Sequence, residues 1–270
     1  MDILQKYAPI VFFDKRERNF PCSMKHFVEV SVYNDEKGSH WFDLDGFNNY
    51  INYNNTNHGE LLPLKDIFPP EDLASVPVYS FGRLIKDDLI DTRKWYYELK
   101  YAFLYVYNGN IFCIPCIKVG THYGDWEHIT IQVDYVSQKV TRVFFARHAN
   151  EGKWIDSEKL NFSNSRVHVY AGRESHASYQ KSGTTWRLFG FANDNHRGGG
   201  AIWKPKVSPI LADGSLIESE QIIKRHKNTW ARQYHGKFGT ISPLYNRHWF
   251  KKDGEASKKP RNPCWPCWKC

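Results

Sequence analysis

The chain contains no apolar run approaching the ~18 residues that a membrane-spanning helix needs, so a helical integral membrane protein is not expected. Its opening residues, Met1-Asp2-Ile3-Leu4-Gln5-Lys6, have no basic stretch followed by an apolar one, and no glycine follows the initiator methionine. Neither a secretory signal nor N-myristoylation is therefore expected, and a cytoplasmic protein, peripheral on a membrane at most, is the default. There is no G-x-S-x-G nucleophile elbow, which argues against a serine hydrolase built on Ser175 or Ser178. No internal repeat is visible, which sets aside a repeat array. A broad basic face is missing too. Of the net charge of +8, half comes from the stretch Lys251–Cys270, where six basic residues meet two acids. The remainder is thin for a nucleic-acid-binding surface, and nucleic acid is a disfavoured partner.

Cysteine is sparse and clustered. Apart from Cys22, there is a C-x-x-C at Cys113-Ile114-Pro115-Cys116 and a terminal group, Cys264-Trp265-Pro266-Cys267-Trp268-Lys269-Cys270. The first lies in an apolar, strand-like run without the helix N-terminus that a thioredoxin site uses. One pair from each group could form a zinc site, with Cys264, Cys267 and Cys270 as the thiol candidates. A basic tail ending in Trp and Cys could instead touch a membrane, with palmitoylation. The plainest reading is free thiols in a reducing compartment.

What is abundant is aromatic. Phe, Trp and Tyr make up 16% of the chain, and these residues favour strands and bury large areas. Short strands are expected at Ile10–Phe13, at Phe27–Val32 on the alternation of Val28, Val30 and Val32, from Trp95 onward, at Val140–His148 and at Val167–Tyr170. Asn48–Asn57 reads as a loop, and Pro69-Pro70-Glu71-Asp72-Leu73 as a short helix opened by proline. A late helix is expected near 216–235, where Ile222, His226, Trp230 and Tyr234 recur every four residues. The fold class is mainly β: an antiparallel β-sandwich-like single domain over residues 1–250, with loop insertions, one late helix and a flexible basic tail from 251 to 270.

Chemistry concentrates at His122-Tyr123-Gly124-Asp125-Trp126-Glu127-His128, which runs into Ile129-Thr130-Ile131-Gln132-Val133. The alternation predicts a strand on which Asp125 and Glu127 share a face with Ile129, Ile131 and Val133. Carboxylates aimed at an apolar core need a cation or a set of donors. His122, in a turn before the strand, could fold onto the same spot, making a metal or catalytic cluster. Paired acids also bind backbone N–H groups or an arginine with no metal involved. His128 would face the other way, partly exposed. A second polar knot, Arg173-Glu174-Ser175-His176-Ala177-Ser178-Tyr179, follows a strand. Its histidine could be a ligand, a general base or part of a backbone-capping turn. His148 and Asp194 end neighbouring strand candidates, so they could gather with Asp125 and Glu127 at one end of a sheet.

These residues carry a resemblance. The segments His122–Thr130, Phe145–His148, Trp154–Asp156 and Val169–Ser178 resemble the vacuolar protein sorting-associated protein 62 family. So do Tyr7-Ala8-Pro9 with Phe20–Ser23, and Tyr234–Gly239, all in order between residues 7 and 250. Cys22 stands where that family usually has serine, and the Cys/Trp tail lies outside its pattern. The resemblance implies a sorting-linked role. A more distant likeness joins His122-x-x-Asp125-x-Glu127 to the heptapeptide of necrosis-inducing (NLP-type) proteins, β-sandwich proteins that hold a divalent cation and attack membranes. It implies His122, Asp125 and Glu127 as metal ligands, while the acid those proteins use just upstream is absent or replaced here.

Oxygen donors with one imidazole suit Mg²⁺, Ca²⁺ or Mn²⁺, and an open His/Asp/Glu site could also take Zn²⁺. His148, Glu174, His176 and Asp194 are candidates as further ligands or as groups that orient them. If the metal is catalytic, His176 or His128 would shuttle protons. The expected function is a non-enzymatic, metal-stabilised module that binds a membrane surface, a glycan or a protein. The alternatives are a metal-dependent hydrolase using the same cluster and a membrane-damaging protein.

Overall fold

The computed structural model describes residues 3–54, 60–63, 71–88, 90–109, 121–148, 151–187, 193–209 and 237–238. In chain order the helices are α1 (Ile3–Lys6), α2 (Met24–Glu29) and α3 (Leu44–Asn54). The strands are β1 (Ile10–Asp14), β2 (Ser31–Asp35), β3 (Gly38–Trp41), β4 (Glu60–Pro63), β5 (Pro77–Lys86), β6 (Trp95–Asn108), β7 (His122–Asp134), β8 (Val140–Phe145) and β9 (Lys153–Asp156). They continue with β10 (Phe162–Ser163), β11 (Arg166–Ala171), β12 (Ser178–Tyr179), β13 (Gly183–Thr185), β14 (Asp194–His196), β15 (Gly199–Trp203), β16 (Lys206–Pro209) and β17 (Lys237–Phe238). The protein is mainly β, as its aromatic and β-branched runs require. No helix among the described residues is long and apolar enough to cross a membrane.

A six-stranded sheet in the order β16-β5-β6-β7-β8-β9 is the centre of the molecule. Its long strands alternate, and each face buries its own set. On one face Leu99, Tyr101, Phe103, Tyr105, Ile129, Ile131 and Val133 pack against Val11, Phe13, Val167, Val169 and Trp203 of a second sheet, ordered β10-β11-β1-β15 with β12 beside β11. That pair of sheets is the expected sandwich. On the other face Ala102, Leu104 and Trp126 pack under Met24, Phe27 and Val28 of α2, Phe47 of α3 and Tyr33 and Leu61 of a small sheet, β17-β4-β2-β3. The centre is therefore a sheet covered on both sides. Each fully buried large apolar side chain contributes roughly 1.5–3 kcal/mol. Most pairings are antiparallel; β1 with β11, β16 with β5 and β17 with β4 are parallel.

The second cover explains where local patterns mislead. Phe27–Val30 is not a strand. Ser23 caps α2 by accepting the His26 N–H on its hydroxyl, and the chain becomes extended only at Ser31. Capping and burial of Met24, Phe27 and Val28 outweigh the two-residue alternation. Most of the expected Asn-rich loop is α3, where Asp43 accepts the Gly46 N–H at 2.6 Å and Phe47 is fully buried. Tertiary packing outweighs the poor helix propensity of asparagine here. In place of the Pro69–Leu73 helix, the described part is a turn in which Asp72 accepts the N–H groups of Ala74 and Ser75. Pro69, Pro70, the helix near 216–235 and the tail from 251 to 270 lie outside the described residues, as do all cysteines except Cys22, a buried free thiol.

Candidate functional site

Strand β7 positions the acids as its alternation requires. Asp125 and Glu127 are on the face of Ile129, Ile131 and Val133, at 0% and 1% exposure. His122 is the first residue of β7, paired with Asn108, and not in a preceding turn. Three residues of regular strand would place it opposite Asp125. Gly124, at φ +69°, interrupts the alternation, and His122 Nε2 lies 3.1 Å from Asp125 Oδ1. A side chain at Gly124 would strain this left-handed backbone.

The turn between β11 and β12 completes the cluster. His176 is fully buried, with Nδ1 3.0 Å from Asp125 Oδ2 and Nε2 3.9 Å from Glu17 Oε1. Its ring lies flat on Tyr105, centroids 3.8 Å apart and planes 2° apart. Glu174 and His176 both have left-handed backbones, φ +65° and +53°, a conformation that costs on the order of 1 kcal/mol or more for such residues. Hydrogen bonds enforce it: His176 N–H to Gly172 O at 2.8 Å, Gly172 N–H to Ala177 O at 2.9 Å, and Glu174 N–H to Glu17 Oε2 at 2.8 Å. Glu17 also accepts the N–H groups of Arg18 and Asn19, each at 2.8 Å. Asn19 Nδ2 donates to the Glu174 carboxylate at 3.0 Å, which occupies the space a side chain on Gly109 would need.

The electrostatics follow from this geometry. Burial works against the charge on His176, but Asp125 and Glu17 outweigh it, and the imidazole is pushed up to about 9. It is an imidazolium between two carboxylates. Burial would likewise raise Glu17, yet His176 and the backbone donors hold it below the usual carboxylate range. Glu174 is raised, by burial and then by Glu17. The buried Tyr105 phenol is pushed well up by desolvation and then by Glu127, Glu17 and Asp125 in turn.

His148 and Asp194 do not join this cluster; they form a second one. His148 Nε2 is 2.6 Å from Asp194 Oδ2, which also accepts the Tyr179 hydroxyl. The Tyr179 ring is stacked by His196 at 3.8 Å and 7°, and by the Arg147 guanidinium at 4.5 Å. Both partners lie too close to the centroid to share one face, so the ring is held between them. Arg187 reaches Glu151 at 2.6 Å and Asp194 at 3.7 Å.

Of the predicted residues, His122, Asp125, Glu127 and His176 are thus brought together, with Glu174 joined through Glu17 and Asn19. His128 is buried, not partly exposed, at 3% on the opposite face, stacked on Phe144. It is buried because the central sheet has a second cover, and from there it cannot exchange protons with Asp125 or Glu127. Among the described residues no group of three or more His, Cys, Asp or Glu side chains converges tightly enough to hold a metal ion as the side chains stand. The site is held together by hydrogen bonds and charge. Sequence reasoning missed Glu17, Tyr105, Tyr179 and His196. Tyr105 shares its strand face with Tyr101 and Phe103, and that register was the available signal.

The model of the family described as vacuolar protein sorting-associated protein 62 matches residues 103–217. The match takes in Asp125, Glu127, His176 and the whole second cluster, and stops short of Glu17; it is narrower than the resemblance drawn from the motifs. No match was found among well-characterised proteins. A similar solved structure is the crystal structure of necrosis and ethylene inducing protein 2 from the causal agent of cocoa's witches' broom disease. It is 12% identical, with a TM-score of 0.39, over 77% of this chain and 73% of that chain. That likeness is too distant to carry over a fold or a role.

Proposed function

We propose that this chain is a non-enzymatic β-sandwich module, stabilised by a divalent cation at the His122–Asp125–Glu127 cluster and linked to membrane sorting. The supporting observation is a convergence of carboxylates. Glu17, Asp125 and Glu127 all act on the one buried Tyr105 phenol, and the His176 imidazolium is the cation between two of them. Carboxylates gathered at one buried spot are the kind of site that favours a cation.

The donors fit such an ion in kind. His122 Nε2 and Asp125 Oδ1 are 3.1 Å apart, close to the ~3 Å spacing of adjacent ligands each about 2.1–2.4 Å from one ion. His122, Asp125 and Glu127 would hold the cation, with Mg²⁺, Ca²⁺ or Mn²⁺ favoured over Zn²⁺ by the oxygen-rich set. It would supply positive charge where the two strand acids meet. Glu17 and His176 would orient Asp125 from the opposite sheet. Glu17 is then the acid that takes the place of one near the motif.

A hydrolase is the weaker reading. His176, charged and clamped by two carboxylates, is a poor general base near neutral pH, and His128 is on the wrong face. The sorting link rests on the family match across residues 103–217, and a cytoplasmic, membrane-peripheral location goes with it.

The deciding experiment is elemental analysis and thermal melting of the wild-type chain with Mg²⁺, Ca²⁺, Mn²⁺ or Zn²⁺, beside Asp125→Ala and Glu127→Gln. About one bound ion and a raised melting temperature in the wild type, both lost in the variants, is the expected result. A wild-type chain that stays metal-free with every ion supplied overturns the proposal.

A further inference from the structure

The net charge, averaged along the chain, hides a local concentration. The loop after β1, the β13–β14 hairpin and the start of β15 lie together at one end of the molecule. Asp14 pairs with Gly199, the Glu174 N–H reaches Glu17, and the Arg173 N–H reaches Asn195 O of β14 at 2.8 Å. In the loop after β1 the charges are sorted by sign, whereas near Trp186 the acid Glu151, paired with Arg187, is exposed. Asp14, Glu17 and Asp194 are buried at 3%, 7% and 1%, whereas Lys15, Arg16, Arg18, Lys181 and Arg197 are all exposed. At the other end of the β13–β14 hairpin, just past β13, Trp186 is 74% exposed. Arg16 keeps only a distant pairing with Asp14, 3.8 Å, and Arg197 Nε donates to Thr184 Oγ1 at 3.1 Å. Next to Trp186, Arg187 is turned inward to Glu151 and Asp194.

The local sequence produces the sorting. In Asp14-Lys15-Arg16-Glu17-Arg18, the acids are drawn inward by backbone N–H groups, Asp14 by Arg16 and Glu17 by three donors. The intervening cations are left facing water. An acidic ligand therefore meets three cations and no exposed acid in that loop, with Lys181 and Arg197 on the neighbouring hairpin. An exposed indole on the same hairpin has a preferred environment, the headgroup layer of a bilayer, where the ring is half desolvated and its N–H stays wet.

We propose that this end is a docking surface for an anionic lipid bilayer, with Lys15, Arg16, Arg18, Lys181 and Arg197 attracted to the headgroups and Trp186 entering the interface. Membrane attraction by exposed Lys and Arg is additive, screened by salt and lost beyond a Debye length. Trp186 adds a contribution that salt does not screen. The surface deepens the membrane-peripheral part of the proposed function, but it does not depend on a cation at the acid cluster, so its failure and that of the cation site are distinguishable.

The test is co-sedimentation of the full chain, with chelator present, on vesicles of phosphatidylcholine alone or with phosphatidylserine at about one part in three. Wild type is expected on the anionic vesicles only, releasing as salt rises. The triple reversal Arg16→Glu, Lys181→Glu, Arg197→Glu should lose about tenfold or more in affinity. Trp186→Ala should weaken binding with the same salt slope. All four side chains are at the surface, and unchanged melting temperatures would show that the variants fold. Equal sedimentation on both vesicle types, no sedimentation at all, or full binding by both variants overturns the proposal. So does displacement from the vesicles by a single-stranded oligothymidine at equal charge, which would mark a nucleic-acid surface.

Discussion

The molecule contains two histidines stacked flat on buried tyrosines at the same centroid distance, 3.8 Å, and they are in opposite protonation states. His176 lies on Tyr105 and is pushed up to about 9; His196 lies on Tyr179 and is lowered, by burial first. The difference is in what each ring nitrogen meets. His176 faces a carboxylate on either side, Asp125 and Glu17. His196 faces the Lys181 carbonyl at 2.8 Å and the Thr185 hydroxyl at 3.0 Å. A carbonyl only accepts and a hydroxyl can donate, so the neutral ring with its proton on Nδ1 is satisfied there. Stacking on an aromatic ring is common to both and decides nothing; the in-plane partners set the charge.

The largest test of this contrast removes the central acid of each cluster. Asp125→Ala strands an imidazolium in a dry site, a loss of roughly 3–5 kcal/mol. Asp194→Ala takes a hydrogen-bond acceptor from His148 and Tyr179, while Arg187 keeps Glu151 and is partly in water, so it should cost about 1–3 kcal/mol. Denaturant unfolding of the two variants checks the order. An equal or reversed order would mean that His176 is not charged in the native state.

Next in size is pH. His176 has a raised native pKa, so its stabilisation is complete below about 6.5 and is lost as pH rises through about 9, with as much as ~3 kcal/mol at stake. His196 has a lowered one, so its stabilisation is complete above about 6.5 and is lost as pH falls below that. Melting temperature against pH should therefore fall on both sides. His176→Gln should flatten the alkaline limb only, and His196→Gln the acid limb only. The reverse assignment of limbs would refute the protonation states.

How far these clusters could be read in the sequence depends on periodicity. Asp125 and Glu127 followed from the two-residue alternation of β7, because that rule holds inside a long strand whatever covers it. The same rule failed for His128, since alternation says which face a residue takes and not whether the face is covered. Glu17 was hidden for a different reason. It sits in a charged run that reads as solvated, and the long-range partners that hold it inward beside its two local donors, the Glu174 N–H and His176, are not visible in the run itself. Strand-end positions gather His148, Glu174, His176 and Asp194 as one set; the structure divides them, because the turn before β12 puts His176 on Asp125 while β12, three residues on, puts Tyr179 on Asp194. The region matched by the family model takes in the second cluster and, apart from Glu17 and Asn19, the first, which leaves the division between them to the geometry.

Smaller effects separate the tyrosines. Tyr105 Oη is buried and makes no hydrogen bond among the described residues, whereas the Tyr179 hydroxyl donates to Asp194. Tyr179→Phe should cost roughly 1.5–3 kcal/mol, the range for a bond to a charged group. Tyr105→Phe removes an unsatisfied polar atom beside three carboxylates and should be neutral or stabilising. If Tyr105→Phe proves costly in the same unfolding measurement, the hydroxyl has a water or ion partner, which would favour a ligand in the acid cluster.

The smallest expected effect compares two glycines. Gly124, at φ +69°, and Gly199, at φ +81°, both occupy the left-handed region, so alanine at either should cost about 1 kcal/mol from the backbone alone. A side chain at Gly199 would meet open space, and the loss there ends with the backbone. At Gly124 the left-handed residue is also what brings His122 onto the face of Asp125. Gly124→Ala, at a buried position, should therefore cost at least as much as Gly199→Ala in thermal stability without added ions, and should also lose the divalent-ion shift in melting temperature that Gly199→Ala retains. A Gly124→Ala chain with a full ion response would show that His122 reaches Asp125 without the kink, or that the ion is held elsewhere.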